Sequence, residues 1–195
     1  MGIIHCNQNV SSSRKLFATP MAKTPLNKAA KAPIPLLIQM EIAIARSWNY
    51  RRHLIVPNVS WGFGVHECDL LVISPSGYAT EIEIKRSRAD LLKDAAKLHG
   101  HQSDKIKYLY FALPKALIHC MDLIPPKAGV VLVKPRNVTR RTPNPELYAK
   151  IVRKAQANGS ARKLTPEEVE KVARLGCMRI WDLKAKMIRA KEDND

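Results

Sequence analysis

Thr80-Glu81-Ile82-Glu83-Ile84-Lys85 alternates strictly between polar and apolar side chains, and its charged positions hold two carboxylates and an amine. Side chains two residues apart on a β-strand point to the same face. The stretch therefore predicts a strand with both acids and the lysine on one face and with the two isoleucines in a core on the other. Such a row is suited to holding a divalent cation beside a positioned amine.

A second strand, which brings a third carboxylate, is predicted upstream over residues 66–73. This carboxylate is Asp69, and Ser74-Pro75-Ser76-Gly77 separates the two strands with the composition of a hairpin turn. We expect the hairpin to bring Asp69 within shared-metal reach of Glu83, with Lys85 in the same cleft. An Asp on one strand and Glu-x-Lys on the next is the arrangement of a metal-dependent phosphodiesterase.

The same alternation also fits a solvated sheet face, on which Glu and Lys neighbours form surface pairs that contribute little to stability. The Asp-bearing hairpin, the apolar partner positions and the basic helix that follows favour a catalytic site, or one that was once catalytic.

The charge balance of the chain indicates a polyanionic partner. Its 195 residues suit one domain with tails, and 33 Lys and Arg against 17 Asp and Glu give a net charge of +16. Nucleic acid is the usual partner of so basic a protein. No apolar run reaches the length of a membrane span, so no membrane partner is expected. Four widely separated cysteines indicate a reduced, cytoplasmic protein.

Three regions are predicted along the chain. Residues 1–34 contain no Asp or Glu and are interpreted as a flexible basic tail, residues 35–140 as the core, and residues 141–195 as a C-terminal helical extension. The predicted fold class is α/β, with a helix, a three-stranded mixed sheet, a second helix and a strand. The predicted helices are 36–48 (apolar on nearly all sides and therefore buried), 87–98, 116–123, 146–158 and 165–191, and the further strands are 51–60, 107–114 and 129–134.

This order of elements and motifs resembles the PD-(D/E)xK nuclease superfamily, and within it the MmcB-like branch associated with DNA repair. The resemblance covers roughly residues 36–140. Cys68 stands where the family name has Pro, and residues 99–102 stand where the branch tends to carry Trp and Tyr. The supporting motifs are Glu81 to Lys85, Ser87-Arg88-Ala89-Asp90-Leu91 with Asp94 and Lys97, and Asp104 ahead of Tyr108 to Pro114.

The resemblance implies a metal-dependent DNA nuclease, cutting internally or from ends, in repair, restriction or mobile-element processing. Asp69, Glu83 and the carbonyl of Ile84 would hold Mg²⁺ or Mn²⁺. Lys85 would act as general base, water positioner or charge stabiliser. Glu41 would be an outer or second-metal ligand, and pairing with a nearby arginine (Arg46 or Arg51) is the alternative for it. The alternative for the whole protein is a DNA- or RNA-binding module on a nuclease fold that does not cut.

Further residues are predicted around this centre. Glu81, His99 and Gln102 are possible additions to the site. The predicted nucleic-acid contacts are Arg86, Arg88, Lys97, Arg136, Arg140 and Arg141. The first three, around the second predicted helix, would equally fit a solvated helix face.

Overall fold

The secondary structure alternates between helices and strands along the chain. The computed structural model describes residues 35–59, 64, 67–95, 103–136 and 146–192, without the side chains of residues 94, 95 and 191. The predicted tail over residues 1–34 lies outside them. In chain order the elements are α1 (Leu37–Ser47), β1 (Leu54–Val59), β2 (Cys68–Ile73), β3 (Ala79–Ile84), α2 (Arg88–Ala95), β4 (Ile106–Pro114), a 3₁₀ helix (Lys115–Leu123), β5 (Gly129–Pro135), β6 (Leu147–Arg153) and α3 (Pro166–Glu192).

The six strands form one mixed sheet in the order β1-β2-β3-β4-β5-β6. β3 and β4 are parallel, as are β4 and β5, and the other neighbours are antiparallel. The predicted α/β class is confirmed, but the sheet is larger than the predicted three-stranded one because β4, β5 and β6 extend it beyond β3. The described residues all belong to one compact unit.

The predicted helix over residues 146–158 is wrong, because this segment contains strand β6. Its residues are mostly good helix formers, but β6 pairs with β5 along its length, from Leu147 opposite Pro135 to Arg153 opposite Val130. The hydroxyl of Ser47 in α1 accepts a hydrogen bond from the Ala149 N–H and donates one to its carbonyl. Tertiary pairing therefore overrides local propensity here, and the sheet continues past residue 140.

Helix α1 is also less buried than predicted. It buries Met40, Ala43 and Ile44, while Ile38 and Ile42 on its other side and Leu37 at its start are exposed. A helix laid on a sheet contacts it through one stripe only. The apolar composition of α1 on nearly all sides therefore predicted more burial than the described residues of this helix have.

Three clusters of buried apolar side chains join these layers. The first packs α1 against one face of the sheet and includes Ile82 and Ile84 of β3. The second packs α3 against β1 and β2, and the third packs α2 and the 3₁₀ helix against β4 and β5. Because Leu71 belongs to the second cluster while its neighbours Leu70 and Val72 belong to the first, the second cluster lies on the opposite face.

The predicted turn is confirmed, and the starts of α2 and α3 are capped by side chains. The Gly77 N–H donates to the Ser74 carbonyl in the hairpin turn, and Gly77 has the positive φ of 84° that glycine adopts without strain. Ser87 and Asp90 exchange hydrogen bonds between side chain and backbone at the start of α2, and Thr165 and Glu168 do the same at α3. These reciprocal bonds satisfy amide groups that a helix start leaves open.

Glu168 also joins the start of α3 to the rest of the domain. Its carboxylate accepts two hydrogen bonds of 2.7 Å from the Arg162 guanidinium and lies 3.3 Å from the Lys105 ammonium. The Arg162 hydrogen bonds, with help from the Thr165 N–H and Lys105, lower the pKa of Glu168 to about 2.

Within the described residues, no helix combines the length and the apolar character needed to cross a bilayer.

Replacing Glu168 by Gln should lower the free energy of unfolding by about 2 kcal/mol at pH 7, because charge-assisted hydrogen bonds are lost. A carboxyl whose pKa is lowered by folding stabilises the folded state above its unfolded pKa. The difference between wild type and Glu168→Gln should therefore persist down to about pH 4.5 and disappear towards pH 2.

Urea unfolding at a series of pH values measures this difference. Glu170→Gln is the matched control, because Glu170 pairs with Arg174 at the surface of the same helix and such pairs contribute little. Equal losses of unfolding free energy in the two variants would contradict the stabilising role of the Glu168 hydrogen bonds.

Candidate active site

The charged side chains of β3 are buried in the middle of the sheet. Glu81 is 0 %, Glu83 3 % and Lys85 8 % exposed. The predicted separation of faces is confirmed, since the two isoleucines between them belong to the α1 cluster. The solvated-face alternative is wrong, because these side chains are withdrawn from water. They lie on the face of the sheet opposite α1, where the second apolar cluster is on one side of β3 and the third is on the other.

A short ion pair dominates this charged row. The Lys85 ammonium donates a 2.7 Å hydrogen bond to Glu83 Oε2, and both side chains are almost fully buried. The Lys85 nitrogen also lies 5.9 Å from the centre of the Phe111 ring, on the neighbouring parallel strand. Lys85 is therefore held between a carboxylate and an aromatic ring, a position that fixes its amine.

Asp69 meets the end of β3 from the neighbouring strand. Its Oδ2 accepts a 2.6 Å hydrogen bond from the backbone N–H of Ile84. The paired residues of β2 and β3 end at Leu70 and Ile82, so beyond this point a side-chain carboxylate, rather than a β2 carbonyl, satisfies the Ile84 amide. This places Asp69 at the carboxyl end of β3, as the hairpin predicted.

The backbone carbonyl of Ile84 also points towards β2 at the carboxyl end of β3. In a strand the N–H and C=O of one residue point to the same side, and successive residues alternate. The N–H of Lys85 points to β4, where it donates to the Ala112 carbonyl, so both polar groups of Ile84 point towards β2 and Asp69. The three oxygen sources predicted to hold a cation therefore surround one corner of the sheet.

The carboxylates of the site are electrostatically coupled. Burial raises the pKa of Glu83, the hydrogen bond and charge of Lys85 oppose this, and the charges of Asp69 and Glu81 raise it further. Cys68 lies in the same field: burial first, and then the charges of Glu81, Glu83 and Asp69, raise the pKa of its thiol, which keeps it neutral. The excess of negative charge at this corner favours a bound cation.

Glu41 reaches the site from α1, on the other face of the sheet. Partial burial raises its pKa, and the charge of Asp69 raises it further. Arg46, one of its alternative partners, instead lies 3.4 Å from Glu146. No ion pair of Glu41 with Arg46 or Arg51 occurs among the described residues, and its role as an outer or second-metal ligand stays a prediction.

The donor set fits a hard divalent cation of the Mg²⁺ type. Glu83 Oε1 is buried and has no hydrogen-bond partner among the described residues. An orphaned carboxylate oxygen in a negatively charged corner is the group that such a cation would satisfy. Among all the residues that the structure describes, no group of three or more His, Cys, Asp or Glu side chains is arranged to hold a metal. A site here would therefore depend on two carboxylates, the Ile84 carbonyl and water.

The predicted nucleic-acid contacts are only partly described. The Arg86 Nε donates to the Pro35 carbonyl and so joins the segment between β3 and α2 to the residues before α1, whereas Arg88 is exposed. The Arg136 guanidinium lies 5.9 Å from the Tyr148 ring. Five of the predicted residues lie outside the described parts of the chain: Lys97, His99, Gln102, Arg140 and Arg141.

Two neighbours of the site were not singled out from the sequence. Cys68, a core residue of the second cluster, lies in the field of the carboxylates, and Phe111, on the predicted strand over residues 107–114, lies beside the Lys85 ammonium. The signal for Phe111 would have been the parallel register of β3 and β4, in which Glu83 lies opposite Phe111. A single sequence does not carry that register.

Comparison with known proteins gives a likeness of fold. No protein-family model matches the chain, and no curated protein matches it significantly. A solved protein of unknown function from Silicibacter pomeroyi is similar, with 21 % sequence identity and a TM-score of 0.50 over 80 % of this chain and 90 % of that one. At this identity the likeness concerns the fold alone.

Replacing Lys85 by Met should lower the free energy of unfolding by about 3 kcal/mol without added metal, because Glu83 is left buried beside two acids. A carboxyl whose pKa is raised by folding destabilises the folded state once it is charged. The deficit should therefore be largest at neutral and alkaline pH and should shrink as the pH falls below about 4.5, where Glu83 becomes protonated in both states.

Chemical denaturation between pH 4 and pH 9 tests this expectation. The double variant Glu83→Leu with Lys85→Met removes both charges and should recover most of the loss. A Lys85→Met protein as stable as wild type across this range would show that the pair is not coupled.

Proposed function

We propose that this protein is a metal-dependent DNA nuclease that hydrolyses phosphodiester bonds. The observation that carries the proposal is the buried Glu83–Lys85 pair at the carboxyl end of β3, with Asp69 hydrogen-bonded to the intervening Ile84 amide. An acid on one strand and an acid and amine two residues apart on the next meet here at one corner of the sheet. The surplus of basic residues in the chain, a net charge of +16, supports a nucleic acid as substrate.

The order of elements supports a place in the PD-(D/E)xK superfamily. A helix, three antiparallel strands, a helix and a strand parallel to the third follow one another from α1 to β4. This order agrees with the restriction-endonuclease-like core that the sequence motifs resemble and so supports the proposal, with Asp69, Glu83 and Lys85 near the carboxyl end of the third strand. The MmcB-like branch and its association with DNA repair rest on the sequence motifs.

Each residue of the corner has a role in this proposal. Asp69, Glu83 and the Ile84 carbonyl would hold Mg²⁺ or Mn²⁺, and Glu41 would support a second or water-mediated contact from α1. A bound divalent cation supplies a Lewis acid that activates water and offsets charge on the phosphoryl oxygens. Lys85 is fixed by Glu83 and Phe111. It would act on the attacking water, as its base or by positioning it, or would stabilise the negative charge of the phosphate.

Stability alone does not account for this arrangement. Buried ion pairs are often no more stabilising than apolar side chains of the same volume, because two charges must leave water. Here Glu83 has one ammonium partner but also lies in the field of two further carboxylates. Strained electrostatics of this kind cluster at functional sites, which favours a cation-binding corner over a structural one.

A non-catalytic nucleic-acid-binding module is the alternative. A binding protein on the same fold would be free to lose one of the three residues Asp69, Glu83 and Lys85. The intact set, with its buried geometry, favours catalysis.

Asp69→Asn and Glu83→Gln should each abolish Mg²⁺-dependent cleavage while leaving DNA affinity equal or higher, since repulsion between carboxylate and phosphate is reduced. Lys85→Met should also stop cleavage but should not raise affinity, because it removes a cation. Labelled single-stranded, duplex and flap DNA, incubated with and without Mg²⁺, measure cleavage, and fluorescence anisotropy measures binding.

Glu170→Gln is the control for these variants, because it removes one exposed carboxylate from α3 and should leave cleavage intact. Wild-type protein that binds DNA but cuts none of these substrates would support the binding module instead.

Mg²⁺ should raise the melting temperature of wild type but not that of Asp69→Asn or Glu83→Gln. A ligand that binds only the folded state stabilises it by mass action, by about 2.7 kcal/mol at a hundred times Kd. Differential scanning fluorimetry across a MgCl₂ series, at constant ionic strength, measures this shift.

Glu170→Gln should respond to Mg²⁺ as wild type does. A wild-type melting temperature that is independent of Mg²⁺ and of Mn²⁺ would contradict a cation at this corner.

A further inference from the structure

The C-terminal half of α3 has an exposed apolar surface that the proposed nuclease site does not use. The first half of the helix packs against β1 and β2 through residues that include Val169, Val172 and Leu175. Arg179 donates to the Asn58 carbonyl at the end of β1. The large apolar side chains from Met178 to Ile188 are all between 52 % and 67 % exposed.

Lys184 lies at the centre of this surface. Residues three and four positions apart are neighbours on a helix, so Lys184 is surrounded by Ile180, Trp181, Met187 and Ile188. All four are exposed, and the Lys184 ammonium lies 4.8 Å from the Trp181 ring centre. These five side chains form what we call the Lys184 patch, an apolar ring around one cation.

Two occupants are disfavoured by this geometry. In a symmetric dimer whose two-fold axis passes through this patch, Lys184 would lie against Lys184 of the second copy. In a bilayer the apolar side of an amphipathic helix carries no central charge. The polar side of this segment, with Asp182 and Lys186, lies about 180° from Lys184 at 3.6 residues per turn, which leaves the ammonium no short route to water.

The N-terminal part of the chain also lacks the complementary charge, because no Asp or Glu precedes Glu41. We propose that the Lys184 patch docks an amphipathic helix of another protein, one that presents a carboxylate in the middle of an apolar face. The partner carboxylate would pair with Lys184 while its apolar side chains cover the ring, as charge complementarity at helix interfaces requires. One helix face is small for an interface, so the contact should be weak and reversible.

Two charge-matched synthetic peptides test the proposal on the full-length protein. Both are three-heptad helices with leucines at the a and d positions and the same composition; one has Glu at its centre and Lys at its end, and the other has these two exchanged. The central-Glu peptide should bind at least about tenfold more tightly by anisotropy. Lys184→Glu should reverse the preference, and Lys186→Glu, the same change on the polar side, should leave it unaltered.

Circular dichroism establishes that each variant keeps its helix content. Equal binding of the two peptides, or binding of neither, overturns the proposal. A dimer that is detected by light scattering and altered by Lys184→Glu also overturns the proposal, because it assigns the patch to a second copy of the chain. Sedimentation with phosphatidylcholine–phosphatidylserine vesicles that Lys184→Glu abolishes overturns it in favour of a lipid surface.

Discussion

Strand β3 buries two carboxylates and an ammonium in the interior of the sheet, and the arrangement around it follows from that constraint. Its isoleucines complete the α1 cluster on one face. On the other face the apolar residues divide into two clusters, one under α3 and one under α2 and the 3₁₀ helix. Because charged side chains do not join an apolar cluster without partners, the charged row of β3 lies at the division between them. The polar corner is therefore built into the layering of the domain.

Local features of the sequence predicted local structure well. The alternation of β3 and the Ser74–Gly77 turn depend on neighbours within a few residues, and both were confirmed. Features that depend on distant partners were predicted less well. β6 is a strand because β5 offers a pairing edge and α1 a packing surface, and neither is visible in its own helix-favouring composition.

The same distinction holds at the candidate site. The residue types and their spacing singled out Asp69, Glu83 and Lys85, because strand periodicity and one hairpin suffice to bring them together. Near-complete burial did not follow from the sequence, since it depends on what covers the face of the sheet. The approach of Glu41 to Asp69 and of Phe111 to Lys85 likewise requires the crossing of α1 and the register of β4.

Two carboxylates of this chain show opposite uses of charge. Glu168 has a guanidinium, an ammonium and a backbone amide as partners near the surface, and its pKa is lowered because its charged form is favoured. Glu83 has one ammonium, lies among other acids in the interior, and has its pKa raised. The first arrangement stabilises the fold at neutral pH, whereas the second opposes ionisation of the group that the fold buries. A cation at the corner of β3 would reverse that opposition, so the charge pattern of Glu83 is better explained by binding than by folding.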